Sequence, residues 1–118
     1  MPSKRASTAL FDIRDHITLA RQFAAGQSWE HFEADLRTVY AVMRCLEIVS
    51  EAARRLPAAV RDRHSELPWR AIMGLGNIYR HDYDNVAREI VWRTLQQTLG
   101  PLLEVVEKEI AALPGETK

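Results

Sequence analysis

Apolar residues recur at steps of three and four along the chain, and no stretch alternates apolar and polar residues for long enough to predict a β-strand. The first predicted helix ends at Gly26, a residue type that commonly stops helices. A second helix is predicted from Trp29 to Leu56, because this segment contains no Gly or Pro and Ser28 before it is a suitable N-cap. The apolar stripe of the first helix is Leu10, Ile13, Ile17, Ala20 and Ala24, and that of the second is Phe32, Leu36, Val39, Met43, Leu46 and Ala53.

The length of the second predicted helix bears on the shape of the molecule. At 1.5 Å per residue it would span about 42 Å. A compact sphere of 118 residues would measure only roughly 35 Å across. We therefore expect an elongated bundle or a bent helix.

Prolines and glycines divide the second half of the chain. Pro57 and Pro68 bracket a connector in which Ala58 to Arg63 is expected to form one or two helical turns. Gly74 and Gly76 weaken the helix that follows Pro68, which indicates a break or the close approach of another backbone. A last helix is predicted from Val86 to Leu113, with a kink at Gly100-Pro101. The pattern predicts an all-α, antiparallel bundle of four to five helices that forms a single domain over residues 1–118.

Composition and charge exclude several classes of protein. Sixteen basic residues balance sixteen acidic ones, so the chain is not a globally basic nucleic-acid binder. A single cysteine, Cys45, excludes an internal disulfide and a cysteine-based zinc site; beside Leu46 it is expected to be an inert core thiol. The four histidines lack metal-ligand spacing, so no cofactor is expected. No apolar run is long enough to cross a bilayer and no signal peptide is evident, which favours the cytoplasm and no membrane partner.

Candidate chemistry is concentrated in residues 74–83. Asn77 and His81 are four residues apart and would share one face of a continuous helix. An imidazole can take and return a proton near neutral pH, and the guanidinium of Arg80 can bind a phosphoryl oxygen. These groups suffice for metal-free RNA cleavage, in which a 2′-hydroxyl attacks the neighbouring phosphate. The alternative is that His81 is a capping or otherwise satisfied polar residue.

Local charge supports an anionic ligand. Residues 54–81 contain six arginines against two acidic residues, a balance of +4 in a neutral chain. The alternative is an ordinary solvated face.

Other notable residues are expected to be structural. Glu47 and Glu51 lie at helical spacing from Arg44 and Arg55, and we expect them to form an ion network rather than a catalytic pair. Trp69 and Trp92 are expected to pack in the core or in a dimer interface.

In the order of its features, the chain resembles the HepT-like branch of the HEPN superfamily from about Phe11 to Ile110. The resemblance implies a helical homodimer whose His-x-Tyr motifs lie near the dimer cleft. It further implies a toxin ribonuclease paired with an MNT-type nucleotidyltransferase antitoxin. The resemblance is carried by Ser28–Phe32, Arg44–Ala52, Leu67–Arg70, Gly74–Asn77, His81–Tyr83 and Glu89–Trp92.

The resemblance assigns roles to the residues of the motif. The family motif is an Arg, four to six residues, then His-x-Tyr, so His81 would be the acid–base residue and Tyr83 the hydroxyl that the partner adenylylates. Asn77 would position the substrate. The chain departs from the motif at Gly76, where the Arg would fall. Arg80 is the nearest replacement, although it points about 100° away from His81 around a helix, and Arg44 and Arg70 are the other candidate phosphate contacts.

Three hypotheses remain open from the sequence. The first is a dimeric, metal-independent endoribonuclease of a toxin–antitoxin pair. The second is a binding module without nuclease activity that is partner and substrate of a nucleotidyltransferase, motivated by the missing arginine at Gly76. The third is a helical dimer that binds a nucleotide in its cleft. Gly74, Gly76 and Ser50 interrupt apolar faces, and we expect them to allow close approach at a dimer cleft.

Overall fold

The computed structural model describes residues 4–77 and 85–114, which are helical and contain no β-strand. The predicted all-α class is confirmed, and principal-axis extents of 45 × 27 × 21 Å agree with the elongated shape. A π-helical turn, Thr94–Thr98, connects the last two helices. The helices are α1 (Lys4–Phe23), α2 (Trp29–Ala34), α3 (Leu36–Arg55), α4 (Ala58–Arg63), α5 (Trp69–Met73), α6 (Asn85–Arg93) and α7 (Leu99–Ala111).

The core lies where α3 and α7 pack against α1. The predicted stripe of α1 is buried from Leu10 to Ala20. Each fully buried Val, Leu or Ile side chain contributes about 1.5–3 kcal/mol to folding, so this contact is the main source of stability. Gly26 has φ +76° and ends the α1 turn, and the Ser28 hydroxyl accepts the His31 N–H at 3.1 Å, as the sequence predicted. The fully buried side chains of the contact include Ile13, Ile17, Val42, Leu46, Val49, Leu102 and Val106.

The prediction of one continuous helix from Trp29 to Leu56 is wrong, because the helix breaks at Asp35. One carboxylate oxygen of Asp35 accepts the Thr38 N–H at 3.2 Å and the other accepts the Thr38 hydroxyl at 2.7 Å, so Asp35 is the N-cap of α3. The bonds from Thr38 and Gln27 lower the pKa of Asp35 below its usual value. The break also leaves Leu36 exposed, although the stripe predicted it to be buried.

The irregularity in the last helix lies one turn before the expected kink. Within Thr94–Thr98 the Leu99 N–H bonds to the Thr94 carbonyl, five residues earlier, and regular helix resumes through Gly100-Pro101. A proline ring crowds the carbonyl four residues before it, which for Pro101 is the carbonyl of Gln97. The widened turn therefore accommodates Pro101.

The predicted short helix after Pro57 is confirmed as α4. Arg61 donates to the carbonyls of Leu56 at 2.6 Å and Ala53 at 3.3 Å, which satisfies the C-terminal end of α3. The expected break at the glycines is also confirmed, because α5 ends before Gly74 and a single 3₁₀ turn follows at 75–77. Trp69 is buried in the core. Trp92 is partly exposed and packs against the core.

The predicted ion network around α3 forms only in part. Arg44 pairs with Glu47 at 2.6 Å, whereas Arg55 pairs with Asp12 of α1 at 2.9 Å. Arg55 is directed toward α1 because it lies on the side of α3 that packs there. Within residues 4–77 and 85–114, Glu51 makes no ion pair.

Candidate functional site

A polar recess of about 200 Å³ lies between α3 and the 3₁₀ turn at 75–77. We call it the α3 recess. Its α3 side is built from residues at helical steps of three and four, so they share one face of the helix. The lining residues are Glu47, Ser50, Glu51, Arg54, Gly76 and Asn77.

Ser50 holds the turn against α3. Its hydroxyl donates to the Met73 carbonyl at 2.6 Å and so ties α3 to the end of α5, and the residue is only 1% exposed. A Cβ placed on Gly76 would lie 3.5 Å from Ser50 Oγ and 3.7 Å from Glu47 Cγ, which is ordinary contact. The turn therefore packs against α3 within one chain, and the packing leaves room for a Cβ at Gly76.

The charges of the α3 recess differ in their pairing. Glu47 forms the ion pair with Arg44. Arg54 and Glu51 are exposed, and neither has an ion-pair partner among the described residues. The Arg54 guanidinium therefore remains available to an anionic ligand. Its five N–H donors match the geometry of a phosphate.

A neighbouring hollow of about 290 Å³ shares Glu47 with the α3 recess and continues along α3 toward its N-terminus. Tyr40, Met43 and Arg44 complete its lining. Tyr40 is 59% exposed and Leu36, one turn before it, is 45% exposed. The face of α3 thus passes from polar at Arg54 to apolar at Leu36.

The structure brings together some of the residues singled out from the sequence. Asn77 lines the α3 recess, and Arg44 lies beside it through its pair with Glu47. Arg70 is exposed on α5 and is not among the residues that line this recess. Arg80, His81 and Tyr83 lie outside the described residues.

Sequence reasoning missed Arg54 as a member of this site, and it assigned Ser50 only to the close approach expected at a dimer cleft. The signal was present, because Glu47, Glu51 and Arg54 follow one another at steps of four and three in α3. What the sequence did not show is that the segment after Met73 returns to this face.

A second polar cluster connects α4 to α7, and we call it the α4–α7 cluster. Arg63 donates to both carboxylate oxygens of Glu109, at 2.8 and 3.2 Å, and His64 Nε2 lies 2.6 Å from Glu109 Oε2. The bond from Arg63, and to a lesser extent that from His64, lowers the pKa of Glu109 although burial opposes this. The Glu109 and His64 side chains are only 12% and 15% exposed, which is typical of a structural contact.

The remaining reactive groups indicate no further chemistry. Burial raises the pKa of the Cys45 thiol, so its nucleophilic thiolate form is disfavoured, as expected of a core thiol. In the part of the chain that the structure describes, no three His, Cys, Asp or Glu residues are grouped so as to hold a metal ion. None of the described helices combines the length and apolar character needed to span a bilayer.

The described part of the chain forms the small all-α protein that the pattern predicted, and the sequence resemblance predicts its family. Comparison with known families confirms this: the chain belongs to the HepT-like family of the HEPN superfamily, because the model described as "Ribonuclease HepT-like" matches residues 13–109. The match covers all the described helices except the beginning of α1 and the end of α7.

Individual relatives agree with the family match. A protein of Caldanaerobacter subterraneus named as a "Putative RNase" is 39% identical over 85 residues, which cover 72% of this chain and 75% of the relative. "Probable ribonuclease HepT" of Thermococcus cleftensis is 32% identical over 99 residues, covering 84% and 90%. A "Putative RNase" of Methanocaldococcus jannaschii is 27% identical over 116 residues, covering 98% and 96%. No solved structure matches the chain significantly.

Proposed function

We propose that the chain is a metal-independent endoribonuclease, the toxin component of a toxin–antitoxin pair, that acts in a cleft between two copies. The observation that carries the proposal is the α3 recess, lined by both Asn77 and Arg54, whose guanidinium makes no ion pair with a described residue. Asn77 precedes His81 by four residues in the motif that the sequence analysis identified. Family membership and the names of the relatives support the same activity.

The reaction assigns a different task to each residue. His81 takes the proton of a ribose 2′-hydroxyl, whose oxygen attacks the adjacent phosphorus. The bond from phosphorus to the 5′-oxygen breaks, and that oxygen receives a proton from an acid such as the imidazolium. The products are a 2′,3′-cyclic phosphate and a 5′-hydroxyl. Arg54 stabilises the charge on the phosphoryl oxygens, with Asn77 positioning the phosphate.

The proposed cleft uses the face of α3 beside the recess. Leu36 and Tyr40 are large apolar residues exposed on this face, and Arg44 follows one turn later. A second copy packed over Leu36 and Tyr40 would remove their apolar surface from water and enclose the neighbouring polar recess. Sedimentation at micromolar concentration tests this, with Tyr40→Glu expected to give monomers.

Cleavage of a defined RNA in EDTA tests the proposed activity. We expect the wild-type protein to cleave and His81→Ala to be slower by about 10²–10⁴-fold, the usual contribution of a general acid or base. His31→Ala is the matched control, because His31 is exposed on α2. Equal cleavage by wild type and His81→Ala would contradict the proposal and point to a contaminating nuclease.

A second candidate is a binding module without nuclease activity that a nucleotidyltransferase recognises and modifies at Tyr83. Gly76 favours it, because this glycine stands where the resemblance implies an arginine. Gly76→Arg separates the two candidates, since a Cβ at Gly76 meets Ser50 and Glu47 only at ordinary contact distance. A clean wild-type protein that does not cleave, together with an active Gly76→Arg variant, would favour the binding module.

The proposed nucleotidyltransferase partner is tested separately. Under either candidate, co-expression with a small nucleotidyltransferase is expected to give a stable complex and an adenylyl adduct on Tyr83, detected by peptide mass. Tyr83→Phe is expected to lose the adduct, whereas Tyr40→Phe is expected to keep it. A protein that neither binds the partner nor carries the adduct would remove the antitoxin part of the proposal.

A further inference from the structure

A second recess, of about 330 Å³, lies between α2 and α6 and extends along the π-helical turn. We call it the tryptophan recess. Its volume falls at the lower end of the range for small-ligand pockets, about 300–1,000 Å³. Two indole rings and four polar side chains line it: Trp29, Glu89, Trp92, Arg93, Gln96 and Gln97.

Contacts beneath the recess fix the position of its indole rings. The centroid of the Trp92 ring lies 5.1 Å from that of Phe32 and 6.0 Å from that of Trp29, and both ring pairs are tilted. Phe32 is fully buried. Arg88 donates to the Glu33 carbonyl at 3.2 Å and holds α6 against α2. The recess is therefore formed before any ligand enters, which lowers the entropic cost of binding.

The π-helical turn supplies the two glutamines. Gln96 and Gln97 both line the recess, within the turn widened by one residue, and Trp92 and Arg93 of α6 line it beside them. π-helical turns occur frequently at functional sites.

We propose that the tryptophan recess binds a base of single-stranded RNA. Every base has a flat face that stacks on an indole, and single-stranded RNA is generally recognised by such stacking. The carboxamides of Gln96 and Gln97 each offer a donor and an acceptor for a base edge, and Arg93 offers a guanidinium for the adjoining phosphate. With four polar side chains out of six, the recess is poorly suited to an apolar helix of a partner protein.

The identity of the ligand as RNA rests on the proposed function. The structure adds a base-recognition subsite outside the motif from Asn77 to Tyr83. Trp92 lies seven residues into α6, about 10 Å from its start, and α6 begins eight residues after Asn77. The subsite would hold one base of the bound strand and so contribute to sequence preference.

Tryptophan fluorescence with a tetra-adenylate that carries 2′-O-methyl groups tests the inference. This oligonucleotide has no free internal 2′-hydroxyl to act as nucleophile, so binding is measured without cleavage. We expect saturable quenching for wild type and about tenfold weaker binding for Arg93→Ala and for Gln97→Ala. Gln22→Ala, at an exposed glutamine of α1, is the matched control and should bind like wild type.

Trp29 provides a second pair of variants. Trp29→Phe keeps an aromatic ring and should retain most of the affinity, whereas Trp29→Ala should lose it; circular dichroism checks that both remain folded. Absence of saturable quenching in wild type, or unchanged affinity in Arg93→Ala and Gln97→Ala, would overturn the inference. The inference would also be overturned if these variants no longer bound a partner protein but bound the oligonucleotide as wild type does.

Failure of the inference can be told apart from failure of the proposed function. If the recess variants lose binding but wild type cleaves no RNA, the subsite stands and the nuclease does not. If wild type cleaves RNA and the recess variants bind and cleave normally, the nuclease stands and the subsite does not.

Discussion

The α4–α7 cluster and the α3 recess contain the same kinds of side chain, arginine and glutamate, in opposite arrangements. In the cluster, one carboxylate, Glu109, accepts two hydrogen bonds from Arg63 and contacts His64, and it is largely shielded from water. In the recess, Arg54 and Glu51 line an open space and make no ion pair with a described residue.

This difference separates charges that hold the fold from charges available for a ligand. A charge with saturated hydrogen bonds is stabilised in one position and has little further capacity to bind. An exposed, unpaired guanidinium contributes little to stability but keeps all its donors free. Mutations in the two regions are therefore expected to change different measured quantities.

Among variants of these two regions, the largest expected effect is that of Arg54→Ala on RNA cleavage. Loss of a positioned cation typically lowers the rate of such reactions by about 10²-fold. The free energy of unfolding should stay within about 0.5 kcal/mol of wild type, because the side chain is exposed and unpaired in the described structure. Single-turnover cleavage and urea unfolding measure the two quantities.

Arg37→Ala is the control for Arg54→Ala, since Arg37 is an exposed arginine of the same helix outside both hollows. It should cleave at the wild-type rate. If both variants slow equally, the effect is one of overall charge. If Arg54→Ala cleaves normally, Arg54 does not contact the reacting phosphate.

The second largest effect is expected on the free energy of unfolding, for a variant of the α4–α7 cluster. Glu109→Gln removes the charge from a shielded group that accepts from Arg63 and contacts His64. We expect a loss of roughly 2 kcal/mol in the free energy of unfolding. Cleavage well below the melting temperature should not change. A variant that is as stable as wild type but cleaves slowly would reverse the roles assigned to the two regions.

Lowering the pH should gradually remove the contribution of Glu109 to the free energy of unfolding. Its pKa in the folded protein lies below its usual value of 4.5, so the unfolded state binds more protons between the two values. The stabilisation is complete above pH 4.5 and declines as the pH falls through the lowered pKa. The difference in unfolding free energy between wild type and Glu109→Gln should shrink in that range. A difference that grows on acidification would contradict the direction of the shift.

The two regions also show what could be predicted from the sequence. Apolar spacing located α1, the bracketing prolines indicated α4, and the glycines after Met73 correctly indicated a break. The break at Asp35 was missed because an Asp inside an apolar pattern becomes a cap only when its side chain turns back to Thr38. A kink was expected at Gly100-Pro101, one turn after the π-helical turn that accommodates this proline.

The site was harder to predict because pairing is a property of the fold. The +4 balance of residues 54–81 includes Arg61 and Arg63. In the structure Arg61 bonds to the carbonyl oxygens at the end of α3, and Arg63 bonds to Glu109, which is 46 residues away. A sequence count assigns both to a basic face. Asn77 lines the recess and Arg44 lies beside it, whereas Arg54, which makes no ion pair with a described residue, was counted only as part of the charge.

The smallest expected effect concerns Ser50, which holds the 3₁₀ turn of the recess against α3. Ser50→Ala leaves the Met73 carbonyl without the 2.6 Å bond, which should cost about 1 kcal/mol in unfolding free energy. The Asn77 amide, bonded to the Gly74 carbonyl, should exchange its hydrogen faster because the turn opens more often. Thr18→Ala, which removes an exposed helical hydroxyl, is the control and should change neither quantity. Unchanged exchange at Asn77 in Ser50→Ala would mean that backbone packing alone holds the turn, so the recess would be as rigid as the α4–α7 cluster.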